Sequence, residues 1–354
     1  MHMADALLSP AVGGIMWAAS AGIIAYSSKK VREELDDKKV PLMGVLGAFI
    51  FAAQMINFTI PVTGSSGHLG GGIILSILLG PYAAFLTIAS VLVVQALFFA
   101  DGGLLALGCN IFNLGFFPAF IAYPFVYRII IGNDPTPRKI SAAAVLSAVV
   151  ALQLGASGVV LQTTASGISS LPFATFLFLM QPIHLGIGIV EGIVSASVVN
   201  FVYKARPEII PGSQTNAPPQ VMTMRNVVFA IMTVSILTGG VASWFASENP
   251  DGLEWSIEKI TGKSEFEGKT GMHRSLEVVQ GKLAFLAGYS FKKAQTAKKV
   301  EAKSLETSTH HTASEVKGKG NRLGTGVSGI IGGLITLAIV FTVGFALKQR
   351  KLTT

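Results

Sequence analysis

The chain has 354 residues, of which 51% are hydrophobic and 13% are charged, and its mean hydropathy is +0.59. Soluble globular domains carry about 25% charged residues, so this composition excludes a soluble globular protein and indicates several membrane spans. The net charge of +8 is explained by loop lysines and arginines beside those spans, and we expect contact with lipid and none with nucleic acid. The single cysteine, Cys109, excludes an intrachain disulfide and a cysteine-cluster metal site.

The chain begins with Met1 and His2, a pair that can chelate a metal ion. Histidine is too bulky beside the initiator for the usual removal of Met1, so we expect the free α-amine on Met1. That amine and the peptide nitrogen of His2 close a five-membered ring on a bound ion, and the Nδ1 atom of His2 closes a six-membered ring. The three nitrogens share one plane, and a nitrogen-rich square plane indicates Ni(II) or Cu(II) rather than zinc. Most proteins that begin this way make no use of the pair, so chelation depends on a fourth donor.

Apolar stretches long enough to cross a membrane follow along the whole chain, because a crossing needs about 20 apolar residues. The predicted spans are 11–27, 41–58, 70–79, 83–100, 107–131, 141–162, 178–203, 226–246 and 326–347. The stretch 70–79 is too short to cross alone. Its start at Gly70–Gly72 predicts a broken or re-entrant helix, which is tolerated only where protein covers it.

Basic residues follow alternate spans. They are Lys29, Lys30, Arg32, Lys38 and Lys39, then Arg138 and Lys139, then Lys204, Arg206 and Arg225, and finally Lys348, Arg350 and Lys351. The loops 59–69, 101–106 and 163–177 contain no lysine or arginine. If 70–79 counts as a crossing, this pattern places the N-terminus outside and the C-terminus in the cytoplasm of a prokaryotic cell. His68 and the turn at Asp101 then lie on the same outer face as His2.

The pattern of spans divides the chain into two unlike halves. Residues 1–203 predict a glycine-rich bundle of about seven spans, and residues 204–225 predict a proline-containing cytoplasmic linker. Residues 226–354 predict a two-span hairpin around a long extracytoplasmic insert at 247–325. The predicted fold class is therefore an all-α integral membrane protein. Within the insert, 272–291 has the mixed pattern of an amphipathic helix.

His68 is the best fourth donor for the metal. It lies in a loop of glycines and serines, where the backbone can turn sharply, and the predicted topology places it on the same face as His2. A neutral imidazole is the commonest transition-metal ligand. Asn57, near the outer end of its span, could orient the ring of His68. The alternative for His68 is an ordinary solvated loop histidine.

Two ionisable residues lie within one predicted span. His184 and Glu191 are seven residues apart and therefore share a helix face. Ionisable groups inside a membrane are costly and usually functional. We expect His184 near the metal site or on the path of the ion and Glu191 in packing or coupling, and the alternative is a mutually satisfied polar pair that pins helices together. His310 and His311 in the insert indicate a solvated loop, and we expect 294–325 to be mobile.

The chain lacks the motifs of common enzymes. It contains no His-Glu-x-x-His zinc motif and no Gly-x-Ser-x-Gly elbow. The segment 262–270 resembles a phosphate-binding loop, but it has one residue too many between its glycines and lies outside. We therefore predict that the protein is not an enzyme and that energy for uphill transport comes from elsewhere.

Several segments resemble a known family. The start Met1–Pro10, the loop Ser66–Leu69 and the helix His184–Gly192 are similar to the CbiM/NikM family, the substrate-capture (S) components of nickel and cobalt energy-coupling-factor (ECF) transporters. The segment Glu248–Glu254 resembles the Pro-Asp-Gly-Leu-Glu (PDGLE) signature of the small two-span partner subunit, NikN or CbiN. Gly288–Phe291 stands where that partner often has Asp-Tyr-Ser-Phe. The chain therefore resembles a fusion of the two subunits.

The resemblance implies a site and a set of partners. In the family the metal is held in a plane by the Met1 amine, the peptide nitrogen and imidazole of His2, and a loop histidine that corresponds to His68. The ion is transported cargo, and no resident cofactor is implied. The partners are a separate transmembrane coupling (T) subunit and cytoplasmic ATPase subunits, none of them on this chain.

The sequence therefore predicts a membrane protein for uptake of a divalent transition metal. Ni(II) is preferred, since affinity rises along the divalent series from cobalt to nickel. One alternative is Co(II) uptake for corrinoid (cobalamin) biosynthesis, and a more distant one is a membrane scaffold that transports nothing. We also expect the insert 247–325 to contact the outer face of the bundle and to help metal move into or out of the site.

Overall fold

A computed structural model of the chain describes residues 2–34, 39–61, 63–210, 221–263, 270–291 and 321–352. In the first half the helices are α1 Pro10–Glu34, α2 Lys39–Gln54, α3 Gly72–Leu79, α4 Pro81–Phe99, α5 Leu107–Ile131, α6 Pro137–Ser166 and α7 Phe173–Ala205. In the second half they are α8 Met224–Gly240, α9 Gly252–Thr261, α10 Gly271–Leu283 and α11 Asn321–Leu352. Short 3-10 turns lie at Asp5–Leu7, Pro207–Ile209, Ala242–Phe245 and Ala287–Tyr289. The prediction of an all-α integral membrane protein is confirmed.

In the described part of the chain, seven helices are long and apolar enough to cross a membrane: α1, α4, α5, α6, α7, α8 and α11. The predicted short stretch is the 8-residue helix α3, whose residues are all buried. Gly71 at its start has a φ of +78°, a backbone conformation that glycine adopts without strain. A helix this short, covered by protein on every side, matches the expected broken segment.

Helix α2 is shorter than the predicted span 41–58. It has 16 residues and ends at Gln54, after which the chain turns and forms a two-stranded antiparallel pair, β1 Phe58–Thr59 with β2 Ser66–Gly67. The helix stops because the backbone after it pairs elsewhere: the carbonyl of Asn57 accepts the N–H of Ser247 from the second half at 2.7 Å. This pairing carries the loop with His68 back toward the bundle.

Helices α6 and α7 are the longest antiparallel pair of the first half and extend beyond the predicted spans 141–162 and 178–203. The side chain of Thr136 caps α6 by accepting the N–H of Lys139. A Cβ at Gly192 would overlap the backbone of Val145, so the lack of a side chain lets the two helices approach closely. This close contact with α6 fixes the position of α7 beside the loop that carries His68.

The second half packs along α2. Gly329 of α11 meets the backbone of Gly239 of α8, and both helices contact α2. Between them, α9 begins with a capping box of Asp251 and Glu254. Helix α10 occupies the first part of the predicted amphipathic helix and ends at Leu283, because the following residues pair with the end of α4. His310 and His311 and most of the segment expected to be mobile lie outside the described residues.

Candidate metal-capture site

The start of the chain is held inside one end of the bundle by backbone hydrogen bonds. Met3 is fully buried, and its N–H donates to Oδ1 of Asn110 at 2.8 Å. Its carbonyl accepts the N–H of Gly103 at 3.0 Å and the side-chain amide of Asn110 at 3.3 Å. With residue 3 fixed from both sides, the backbone of His2 has one position in the bundle. Met1 itself lies outside the described residues.

Asp5 connects the N-terminal arm, the residues before α1, to the loop before α5. Its Oδ1 accepts the N–H of Ala106 at 3.0 Å. Burial raises the pKa of Asp5, and the backbone hydrogen bonds from Ala106 and Leu105 oppose that rise. A Cβ at Gly103 would overlap the Asp5 carboxyl, so only glycine lets the arm and the loop lie this close.

His2 and His68 lie against each other. Their rings stack with centroids 4.9 Å apart and planes 20° from parallel. The side chain of His2 is only 8% exposed, and its Nδ1 lies 3.0 Å from Oδ1 of Asp101. Its Nε2 is buried and has no hydrogen-bond partner among the described residues. The structure therefore brings together His2 and His68, the two candidate ligands, which are 66 residues apart in the sequence.

The environment of His68 keeps one ring nitrogen ready to bind metal. Its Nδ1 lies 2.9 Å from the carbonyl of Leu69, which requires the proton on Nδ1 and leaves the lone pair on Nε2. Burial, together with the positive charges of the amino terminus and His2, lowers the pKa of His68 to about 3. The imidazole is therefore neutral at physiological pH. We expected Asn57 to orient this ring; the Leu69 carbonyl holds it here, while Asn57 contacts Ser247 through its main chain.

Glu191 positions the loop that carries His68. Its two carboxyl oxygens accept the N–H groups of Gly70 and Gly71 at 2.7 and 3.0 Å. The carbonyl of Gly70 accepts the side-chain amide of Gln54 at 2.8 Å. A buried carboxyl group on a long, close-packed helix thus fixes the backbone two and three residues after His68. Glu191 therefore joins α7 to the loop that carries His68.

His184 is also buried, seven residues or about two turns before Glu191 on the same helix. Its Nδ1 lies 2.8 Å from the carbonyl of Met180, and its Nε2 has no hydrogen-bond partner among the described residues. His184 and Glu191 therefore bind different partners and do not form the mutually satisfied pair considered above. The Cε1 atom of His184 faces Gly252 of the second half.

The second half lies directly on the loop of His68. The N–H of Ser66 donates to the carbonyl of Pro250 at 2.8 Å, and its hydroxyl donates to the carbonyl of Asn249 at 2.7 Å. Asp251 follows and caps α9, accepting the N–H groups of Leu253 and Glu254. Burial would raise the pKa of Asp251, but the positive amino terminus and hydrogen bonding at Glu254 hold it below its usual value.

A cavity of about 710 Å³ opens between the halves and reaches His2. The first half contributes Asp101 to its wall, and the second half contributes Asp251, Glu254 and Glu277. Carboxylates beside an opening attract cations. The cavity therefore offers a positively charged ion a path to the stacked histidines.

No three His, Cys, Asp or Glu side chains of the described residues converge as a side-chain metal site requires. An ion held between His2 and His68 would therefore need further donors from the backbone. The peptide nitrogen of His2 is one such backbone donor, and nitrogen ligands are suited to nickel, copper and cobalt rather than calcium or magnesium.

Comparison with known proteins identifies the first half. Residues 2–209 match the model of the CbiM family, described as the cobalt uptake substrate-specific transmembrane region. The match covers more than half of the chain. The chain belongs to the CbiM family. Residues 225–349 match the PDGLE domain, so the second half is of the type that the segment at Asp251 suggested.

Relatives and solved structures agree with this assignment. A putative metal transport protein of Haloquadratum walsbyi is 37% identical over 212 residues, 59% of this chain and 93% of that protein. A putative fused nickel transport protein NikMN of Archaeoglobus fulgidus is 35% identical over 250 residues, 71% of this chain and 80% of that protein. A crystal structure of a truncated transition metal transporter matches with a TM-score of 0.51 and 30% identity, covering 57% of this chain and 98% of that one. The chain is a multi-pass membrane protein of a metal-transport family, not an enzyme.

Sequence reasoning about this CbiM-family chain missed three residues of the site. Asp101, Asn110 and the carbonyl of Leu69 each hold one of the predicted ligands or the arm beside it. Asp101 offered a signal, since it stands in a loop without basic residues on the predicted face of His2. Asn110 and Leu69 offered none, because a buried amide and a main-chain carbonyl have no pattern in a single sequence.

Proposed function

We propose that this chain captures a divalent transition metal ion, with Ni(II) preferred, on the outer face of a prokaryotic cell membrane. The ligands are the amine of Met1, the peptide nitrogen and Nδ1 of His2, and Nε2 of His68. The observation that carries the proposal is the stacking of His2 on His68 beside the buried start of the chain. The chain acts as the substrate-capture subunit of an energy-coupling-factor transporter, with a separate transmembrane coupling subunit and separate ATPase subunits.

The preference for nickel follows from ligand chemistry. Nitrogens in one plane favour the square-planar ions, and affinity rises from cobalt to nickel along the divalent series. The relative from Archaeoglobus fulgidus is named as a nickel transport protein, whereas the family description names cobalt uptake. Co(II) uptake for corrinoid synthesis is therefore the second candidate. Competition between Ni(II) and Co(II) for the purified protein separates the two.

His68→Ala is the direct test of the site. Removing Nε2 opens the fourth position, and we expect the affinity for Ni(II), measured by calorimetry on the full chain, to fall by about 100-fold or more, because a metal ligand is lost outright. The absorption band of square-planar Ni(II) should change with it. His311→Ala is the matched control and should bind as the parent does. Unchanged binding by His68→Ala, or an oxygen-dominated octahedral spectrum in the parent, would refute the proposed site.

The affinity for Ni(II) should fall as the pH falls from about 8 to 5, because metal-binding nitrogens must be deprotonated. Binding strips the peptide N–H of His2 and requires a neutral amine, so protons compete with the ion. His68 stays neutral throughout this range, because its pKa is about 3, and contributes nothing to the slope. We expect the apparent Kd to rise about tenfold or more per pH unit, since at least one proton is released per ion. A Kd independent of pH would count against a site built on the amine and peptide nitrogen.

The proposed orientation places the site outside and the C-terminus in the cytoplasm. The loops 59–69, 101–106 and 163–177 contain no lysine or arginine, and the positive-inside rule assigns such short loops to the outside, whereas long loops such as 247–325 cross largely regardless of charge. A membrane-impermeant maleimide should label Ser170→Cys in intact cells and should label Asp134→Cys only after lysis, because both positions are exposed but lie in loops of opposite charge pattern. Labelling of Asp134→Cys in intact cells would contradict the proposed orientation.

A further inference from the structure

The backbone around Asp101 is unusual. Within the described residues, non-glycine residues with a positive φ occur at Ala100 (φ 52°) and Tyr289 (φ 56°). Ala100 precedes Asp101 directly, and the hydroxyl of Tyr289 donates to Oδ2 of Asp101 at 2.5 Å. A left-handed backbone is unfavourable for an alanine or a tyrosine, and it persists only where surrounding contacts require it. Both residues with a left-handed backbone therefore adjoin Asp101: one precedes it in the chain, and the other bonds its carboxylate.

Contacts with the end of α4 hold Tyr289 in place. Its ring stacks on Phe99 with centroids 5.1 Å apart and planes 20° from parallel. Upstream in the same segment, the N–H of Leu286 donates to the carbonyl of Phe98 at 3.3 Å. The side-chain amide of Gln280 donates to the carbonyls of Ala96 and Gly102 at 2.9 and 2.8 Å. The PDGLE half therefore contacts the chain both before and after Asp101.

The two oxygens of Asp101 serve different halves of the protein. Oδ2 accepts a hydrogen bond from the hydroxyl of Tyr289 in the second half, the PDGLE half. Oδ1 lies 3.0 Å from Nδ1 of His2 in the first half. A single carboxylate thus connects the second half to an imidazole of the proposed metal site. Carboxylates commonly orient metal-binding histidines through the ring nitrogen that does not bind the metal. Asp101 instead holds Nδ1, the proposed ligand atom, so it positions the ring before capture and must release that nitrogen to the ion.

We propose that Asp101 and Tyr289 are positioning residues for metal capture, acting as one unit: Asp101 orients His2, and Tyr289 orients Asp101. Neither touches the ion. Before capture, Asp101 holds the imidazole of His2 in the stack on His68. When Nδ1 moves onto the ion, the carboxylate stays beside the ring, and its negative charge offsets part of the double positive charge of the metal. The PDGLE half thereby influences the affinity of a site to which it contributes no ligand. This inference rests on the proposed function of the site.

A double-mutant cycle on the full chain tests the pair. Tyr289→Phe removes only the hydroxyl and keeps the stacking on Phe99. We expect it to raise the Kd for Ni(II) by about threefold to tenfold, the net effect of one typical hydrogen bond. Asp101→Asn removes the negative charge beside the bound ion and should raise the Kd by about tenfold, the low end of the effects of groups just outside the ligands. In the Asp101→Asn background, adding Tyr289→Phe should change the Kd by less than about twofold, because the hydroxyl acts only through the carboxylate. Tyr26→Phe, at an exposed tyrosine of α1, is the matched control and should change nothing.

The cycle separates failure of this inference from failure of the site itself. All four nitrogens remain in these variants, so the square-planar absorption of bound Ni(II) should persist in each, whereas it should be altered in His68→Ala. If Asp101→Asn does not fold, Asp101→Glu takes its place with the same expected non-additivity. The inference is overturned if Tyr289→Phe leaves the Kd unchanged, or if it weakens binding equally in both backgrounds. An equal loss would mean that Tyr289 merely stabilises the fold.

Discussion

Two residues added before Met1 are expected to abolish metal binding and uptake. The added residues move the α-amine away from the peptide nitrogen of His2, so the two fused chelate rings can no longer form. Two residues are needed rather than one. With a single added residue, His2 would stand third, and its imidazole, two peptide nitrogens and the new amine could complete a square without His68. Uptake of radiolabelled nickel by cells that contain the complete transporter, together with calorimetry on the purified chain, measures the loss.

The matched control is the same two residues added after Thr354, which should leave uptake unchanged. Thermal unfolding of both extended proteins shows whether the arm still docks, since the contacts of Met3 and Asp5 lie beyond the change. Full binding by the N-terminally extended protein, with an unaltered spectrum, would remove the amine from the ligand set. A scaffold protein, the most distant alternative, would tolerate both extensions equally.

Glu191→Ala is expected to weaken Ni(II) binding by about 10- to 100-fold, although Glu191 is not a proposed ligand. The substitution removes the acceptors of two buried N–H groups, at Gly70 and Gly71. Hydrogen bonds to charged groups contribute about 1.5–3 kcal/mol each, and buried donors left without acceptors carry a further penalty. The loop should relax and move His68 out of register with His2. Calorimetry of Ni(II) binding and the midpoint of thermal unfolding, both on the full chain, measure the two effects.

Two further variants of the same helix make this result interpretable. Glu191→Gln keeps one carbonyl oxygen for a glycine N–H and should lose less affinity than Glu191→Ala. Ser197→Ala removes an exposed hydroxyl that bonds only the carbonyl of Ile193, and we expect it to bind Ni(II) as the parent does. Should Glu191→Ala lower the unfolding midpoint while the Kd stays at the parent value, the glycine contacts support the bundle and not the position of His68.

The fusion of two halves in one chain has a structural consequence at the site. The backbone at Asn249 and Pro250 pairs with Ser66, two residues before His68. His273 of α10 lies 2.9 Å through Nε2 from the carbonyl of Leu8 in the N-terminal arm. The PDGLE half thus contacts both segments that supply proposed ligands. Its proposed help in moving metal into the site would act through these contacts and through the acidic cavity.

Much of the fold could be predicted because hydrophobicity in a membrane protein is a local property. Every predicted span corresponds to a helix, including the short α3. The end of α2 was predicted four residues too late, since the stop at Gln54 depends on pairing with Ser247 from the other half. The helix at 272–291 was predicted too long for the same reason: its final residues pair with Phe98 of α4. These two helix ends were predicted wrongly because contacts with residues distant in the sequence, and not the local composition, decide where each helix stops.

The sequence by itself determined the class of protein, the order of its helices and the candidate ligands His2 and His68, because apolar length, charge placement and chelate-ring geometry are all written in neighbouring residues. Only the tertiary structure decided which groups surround those ligands. Asp101, Glu191 and Tyr289 reach the site from a loop, a helix and a 3-10 turn that are far apart in the sequence and belong to both halves. A hydrogen bond between residues more than a hundred positions apart depends on how whole helices pack, and the packing sums many weak contacts that no short stretch of sequence contains.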